Sequence, residues 1–309
     1  MSSLYRRTIG VIIAVVIFYF IGKMAYREWD KISGYDWSPS LPWFIASIFL
    51  LLCVYLMGAY GWTLVLRMLG TRIAGTKGIS IMLLSLYGRY VPGGVWAVLG
   101  RVYLCRLEGI PDSRSGMSIL LEQSYQIVSA GLVFAISLLF WADTGSVLRL
   151  LPLVFIMPFF VAFLHPKPFL KIVNPVLSRL GRGAINFSLS FNKMLILAGY
   201  YLIYWIVTGI AFFFFIRAFY PLDIHNIPVL IGIFAISFAA GYLAFFTPAG
   251  LGVREGALTF LLSLFIPMPI AIGVSLLSRL WLISVEIVIL VIFLINRETR
   301  KMAKTALGW

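Results

Sequence analysis

Charge is what this sequence has least of. Only 12% of its 309 residues are Asp, Glu, Lys or Arg, about half the roughly 25% usual in soluble domains. A water-facing surface for a chain of this length cannot be assembled from so few charges, which excludes an ordinary soluble enzyme. Cysteine is nearly missing too. Cys53 and Cys105 stand in separate apolar stretches, too few and too dispersed for a disulfide framework or a metal site. His165 and His225 are isolated loop residues and receive no role. Also lacking are a His-Glu-His metal spacing, a Gly-Lys-Ser/Thr phosphate loop and a paired acidic motif of the sugar-nucleotide transferase kind. No catalytic residue, metal or cofactor is therefore assigned, and the chain is expected not to be an enzyme.

What the sequence has in abundance is apolar length: 61% of residues are hydrophobic and 16% aromatic. Several runs approach the ~20 residues needed to cross a hydrocarbon core of about 30 Å. Full crossings are predicted at about 8–26, 41–66, 115–140, 148–164, 194–216 and 268–295. The first run follows Arg6-Arg7 as a signal peptide would, but it ends in Lys23, Met24, Tyr26 and Arg27 without a small-residue cleavage pattern, so it reads as a retained helix. Two further segments, about 79–108 and 227–266, are interrupted at Pro-Gly positions; each is either a re-entrant hairpin or a pair of short or tilted spans. The expected fold is an all-α polytopic membrane protein with six full crossings plus two interrupted segments. It forms a single membrane domain over 1–309, with halves 1–145 and 146–309. The only long connection, His165 to Lys193, reads either as an amphipathic segment on the inner interface or as a plain connector.

The formal charge of +14 falls mostly on one side of this topology. With the N-terminus inside, Arg6, Arg7, Arg67, Arg72, Lys77, Arg101, Arg106, Arg114 and the basic residues of 165–193 and of the C-terminal tail all become cytoplasmic. The positive-inside rule then places both termini in the cytoplasm. Most of the excess charge orients the chain and attracts anionic lipid. No basic soluble module exists to bind nucleic acid.

The two interrupted segments share a pattern. Tyr90-Val-Pro92-Gly93-Gly94-Val95 and Phe246-Thr-Pro248-Ala249-Gly250-Leu251 both read aromatic, any residue, Pro, small, Gly, aliphatic, with the prolines 156 positions apart. On the predicted topology they enter from opposite sides, as in an inverted repeat with a site near the midplane. Proline removes a backbone donor and glycine loosens a helix; such breaks survive only where protein or water satisfies the freed groups. The helix starting after each break would aim its N-terminal amides at the interior, an anion site. The alternative is an ordinary proline kink between packed helices.

Ionisable residues inside the apolar segments are few: Arg89, Arg101, Glu122, Arg254, Glu255, Arg279 and Glu286. Each is costly in lipid and should face protein or a wet cavity. Arg89 and Arg254 flank the two breaks, where guanidinium forks and helix N-termini together suit a phosphate. Ser118, Glu122, Tyr125 and Ser129 form a polar stripe with Gln126 beside it. Glu122 lies 30 residues after Pro92 and Arg279 lies 31 after Pro248, so equivalent places carry opposite charges. Glu122 and Arg279 are expected either to line or gate a cavity, pairing when it is empty, or to form a structural ion pair. Glu255 reads as an organiser of arginine, Glu286 as a packing residue, and Arg101 and Arg106 as interfacial residues that snorkel.

At these motifs the sequence resembles the membrane region of lysylphosphatidylglycerol synthases, the flippase-like part of multiple peptide resistance factors. The signatures are Arg89-Tyr-Val-Pro-Gly-Gly-Val-Trp96 with Arg101 downstream, then Glu122, then Thr247-Pro-Ala-Gly-Leu-Gly-Val-Arg-Glu255 and Arg279-Leu-Trp281. Ala249 departs from the glycine expected after the second proline, yet it is still small. The resemblance implies a bacterial or archaeal plasma-membrane protein that moves or binds an anionic or modified lipid. In two-part relatives a cytosolic aminoacyl-transferase domain follows; this chain stops at Trp309, so lysyl transfer is not expected of it. Substrate-binding residues are expected among Arg89, Pro92, Gly93, Gly94, Trp96, Arg101, Glu122, Tyr125, Pro248, Gly250, Gly252, Arg254, Glu255 and Arg279. The leading expectation is a flippase for an anionic lipid, a phospholipid or a polyprenyl-phosphate-linked sugar. A second is a scaffold for a lipid-modifying or glycosyltransferase partner, and a third is a membrane enzyme acting on a phospholipid. Homo-oligomerisation is left open.

Overall fold

The computed structural model describes residues 29–90, 96–141, 190–244, 247 and 250–295, with single positions 22, 23, 26, 145 and 171. The crossings predicted at 8–26 and 148–164, and nearly all of the loop 165–193, lie outside the described residues. Within them the chain is helical: α1 (Trp29–Ser33), α2 (Leu41–Met68), α3 (Gly75–Leu86), α4 (Trp96–Leu107), α5 (Asp112–Ser137), α6 (Phe191–Phe219), α7 (Ile227–Leu243), α8 (Val253–Leu262) and α9 (Met268–Ile295). Short 3-10 turns at Tyr87–Tyr90, Leu138–Phe140 and Ile224–Asn226 extend three of them.

Local sequence sets these boundaries. Pro42 and Pro228 sit in the first turns of α2 and α7, where a missing N–H costs nothing. Gly70 and Gly109, at φ 84° and 72°, follow the ends of α2 and α4, where a left-handed residue closes a helix. Five helices are long and apolar enough to cross a membrane: Leu41–Met68, Asp112–Phe140, Phe191–Phe219, Ile224–Leu243 and Met268–Ile292. The protein is an all-α, multi-pass membrane protein. The interrupted segments are unequal. The first has two arms of 12 residues, each about 18 Å long and too short to span. The second has a long arm, α7, and a 10-residue arm, α8.

Large apolar side chains that face outward repeat at helical spacing: Leu41, Ile45 and Phe49 on α2, and Leu276, Leu280, Ile287 and Val291 on α9. Such stripes suit lipid, not water. The interior is aromatic, with Trp62, Trp205 and Trp281 fully buried. Each indole N–H is satisfied, by Ser118 Oγ (3.0 Å), the Gln126 carbonyl (2.9 Å) and Ser47 Oγ (3.2 Å) respectively, as the absence of water in a bilayer demands. Glycine lets the helices close: a Cβ at Gly209 of α6 would stand 2.4 Å from Ile231 Cα of α7.

Candidate functional site

Both breaks are drawn tight by glycine. A Cβ on Gly88 would lie 2.6 Å from the Ala97 nitrogen, so the backbone before the first break touches the backbone starting α4. At the second break, a Cβ on Gly250 would lie 2.6 Å from the Gly241 oxygen, and one on Gly241 would lie 2.7 Å from Arg254 Cβ. Gly250 and Gly252 have φ of 68° and 84°, conformations that a side chain resists. Gly252 is the N-cap of α8, and its N–H donates to Glu255 Oε2 at 2.8 Å. Gly250 and Gly252 thus let the chain turn into α8, and Arg254 is carried inward in its first turn.

Between the two breaks lies a cavity of about 340 Å³ that is lined by Arg89, Arg101, Arg254 and Arg279 together. Four guanidinium groups on one apolar-walled space require compensation, and three carboxylates provide it. Arg101 Nη1 donates to Glu122 Oε2 at 2.5 Å, and Gln126 Nε2 donates to the other oxygen of Glu122 at 3.4 Å. Arg279 Nη1 donates to Glu255 Oε1 at 3.0 Å. Arg89 Nη1 donates to Glu286 Oε1 at 3.2 Å, and Tyr55 Oη donates to that oxygen at 2.5 Å.

Arg254 is held differently. Its Nη2 donates to Ser278 Oγ at 3.2 Å. The Phe234 and Phe238 rings flank the guanidinium at 5.3 and 5.9 Å, a cation–π arrangement. Its Nε is buried with no hydrogen-bond partner among the described residues. It faces the cavity as a cation that no carboxylate among the described residues is bonded to.

Several expectations are corrected by this geometry. Glu122 and Arg279 do not pair with each other; each is bonded within its own break region, Glu122 to α4 and Arg279 to α8. The ion pair that links the two break regions is Arg89–Glu286, so Glu286 is more than a packing residue. Arg101 does not snorkel at an interface. It is 5% exposed, beneath the Trp62 ring at 5.2 Å. Arg106 does lie outside, paired with Asp112. Glu255 organises an arginine as expected, and the arginine is Arg279.

Of the residues predicted for the site, Arg89, Arg101, Gly250, Arg254 and Arg279 line the cavity. Glu122 and Glu255 stand behind it, each on a lining arginine. Gly252 caps α8. Trp96 points outward at the start of α4, and Tyr125 is buried against Tyr201, with ring centroids 6.2 Å apart; neither lines the cavity. Pro92, Gly93, Gly94 and Pro248 lie outside the described residues. Sequence reasoning missed Tyr55, Gln123, Tyr204, Trp205 and Tyr242, all on the wall. The signal available for α6 was the run Tyr204-Trp205 with Thr208 one turn later, polar-tipped side chains in the middle of an apolar helix.

Five long apolar helices, two glycine-drawn breaks and an arginine-lined cavity between them are the setting for the comparisons with known proteins. No curated protein sequence matches the chain at a significant level. The family described as the lysylphosphatidylglycerol synthase TM region matches residues 7–297, nearly the whole length, and the chain belongs to this flippase-like membrane family.

Proposed function

We propose that the chain binds the phosphate-bearing headgroup of an anionic lipid in this cavity and carries it between the leaflets. The observation that carries the reading is the convergence of Arg89, Arg101, Arg254 and Arg279 on one space, which no packing requirement explains. Membership of a flippase-like family supports it. Arg254 offers donors, Arg279 has a side chain that is 23% exposed, and both guanidinium forks suit phosphate oxygens. Acyl chains would stay in lipid while the headgroup crosses through the cavity, so transport and not catalysis is the role of these residues.

The arrangement also supports two related halves of opposite orientation. In each, a short helix after a break is tied by an Arg–Glu pair to the next long helix, α4 to α5 and α8 to α9. Alternating access would rock these units about the headgroup. The setting is a bacterial or archaeal cytoplasmic membrane, with both chain termini inside.

The test is movement of fluorescent phosphatidylglycerol in proteoliposomes made with the pure protein. Transport is expected from the wild-type chain and its loss from Arg254→Ala combined with Arg279→Ala, with folding verified by circular dichroism. Unchanged transport in a folded double variant would sink the site. Absence of transport by the wild-type chain, with a partner enzyme co-purifying stoichiometrically, would favour a scaffold instead.

A further inference from the structure

The charges around the cavity do not cancel. Arg89, Arg101, Arg254 and Arg279 line it. Glu286, Glu122 and Glu255 each answer one arginine. Four positive charges against three negative leave one positive charge in surplus among the described residues. The geometry says where the surplus resides: on Arg254, whose guanidinium is flanked by two phenyl rings and bonded to a serine, with a buried Nε that has no hydrogen-bond partner among the described residues. The α8 N-terminus opens at the same place, and Gly250 and Thr247 bring its approach onto the cavity wall.

We infer that the cavity is matched to a single negative charge: it takes a phosphodiester monoanion, seated on Arg254, and rejects a phosphate monoester dianion or a pyrophosphate. The inference rests on the anionic-headgroup reading and narrows it. A diester oxygen placed on Arg254 brings the site to neutrality, with every ion pair left intact. A second negative charge would find only arginines already bonded to carboxylates. To be answered it must either pull Arg89, Arg101 or Arg279 away from its glutamate, stranding that carboxylate, or stay uncompensated in a low-dielectric wall. Both are strongly unfavourable. Apart from the arginines and Glu286 the wall is uncharged, apolar in large part, with Gln123, Gln126, Thr208 and Tyr242 among its hydrogen-bonding groups. Hydroxyls of a glycerol or a sugar on the far side of the diester fit such a wall, and an additional fixed charge does not.

Two lipid types supply this chemistry, a phosphatidylglycerol-like phospholipid and a polyprenyl-phosphate-linked sugar, and matched probes distinguish them. Binding to the pure full-length protein in nanodiscs of phosphatidylcholine would be measured by native mass spectrometry for two pairs. These are short-chain phosphatidylglycerol against phosphatidic acid, and a short-chain polyprenyl phosphohexose against the bare polyprenyl phosphate. The measurement is made at mildly alkaline pH, above the second phosphate pKa of about 6, so that each monoester is a dianion. The diester is expected to bind at least about tenfold tighter than its monoester in one or both pairs, and the pair with the tighter diester names the source. Equal or tighter binding of the dianions overturns the inference while leaving an anion site in place. No preference for any of the four over phosphatidylcholine overturns the anionic-headgroup reading as well.

Two variants test the charge count itself. Arg254→Gln removes the surplus and is expected to cut diester binding about tenfold. Glu286→Gln keeps shape and hydrogen bonding but raises the surplus from one to two. It is expected to move the ranking about tenfold toward the dianion. A role of Glu286 in packing alone would leave the ranking unmoved, and an unmoved ranking in the folded variant overturns the inference even where Arg254→Gln fails to fold.

Discussion

Arg101 on α4 is joined to Glu122 on α5 at 2.5 Å, and after the second break a short helix is again tied to the next long one by an Arg–Glu bond, with its ends exchanged: Glu255 on α8 to Arg279 on α9 at 3.0 Å. The bond is kept while the charges trade helices. One consequence is that the two pairs differ in access. Arg101 and Glu122 have side chains 6% and 0% exposed, whereas Arg279 retains a face on the cavity.

The first pair should therefore matter most to stability. Arg101→Ala strands Glu122 in the interior and is expected to cost about 3–5 kcal/mol. Arg89→Ala leaves Glu286 with the Tyr55 hydroxyl and, since Arg89 is itself about one-third exposed, should cost clearly less. Thermal unfolding of both variants in one detergent ranks them; a larger drop for Arg89→Ala would contradict the assignment.

The glycine contacts at the breaks predict a sharp positional contrast. Gly250→Ala meets both a positive φ, worth about 1–2 kcal/mol, and the Gly241 backbone, and is expected to abolish folded yield. Gly100→Ala, on a face of α4 with nothing within 4 Å, is expected to be neutral or to stabilise by up to about 1 kcal/mol. Monodispersity and thermal stability in size-exclusion chromatography read both.

The rings that flank Arg254 should tune its grip without carrying charge. Phe238→Leu keeps an apolar wall but removes one cation–π partner, an interaction of about 0.5–2 kcal/mol when desolvated. Short-chain phosphatidylglycerol is expected to bind about threefold or more weakly, with the preference for diester over dianion retained. A native mass spectrometry titration measures both quantities.

Orientation is open to a direct check. Arg106, Asp112 and Arg114 mark one end of the helices, and Asp223 with His225 marks the other. Ser113→Cys should be reached by a membrane-impermeant thiol reagent only after the cytoplasmic face is opened, and His225→Cys from intact cells. The reverse pattern would invert the proposed topology.

Much of this was legible in the sequence, and what was not has a physical cause. The long helices could be read because apolar length and the hydrocarbon thickness leave few choices; the predicted 41–66, 194–216 and 268–295 fall within α2, α6 and α9. That the arginines inside apolar segments belong to a protein interior follows from the cost of charge in lipid. Which carboxylate each one meets does not, because partners depend on helix rotation and on where a break turns the chain. Arg279 and Glu286, seven apart on one helix, bond to α8 and to Arg89 respectively. Arg101 looked interfacial because Arg106 follows it closely. Five residues rotate a helix by about 500°, which sends one inward and the other out. The unequal arms of the two interrupted segments were hidden for another reason: α7 is apolar on every face, so no periodicity marks where its span is complete.

The backbone contact between Gly241 and Gly250 has an evolutionary corollary. Where two side chains touch, a change in one can be absorbed by a change in the other, and a lineage can wander through such pairs. Where backbone touches backbone, no second substitution relieves the first, because neither partner has an atom to give up. This corner of the molecule is therefore expected to stay fixed in descendants whose headgroup preferences have diverged, with diversification confined to the walls around it.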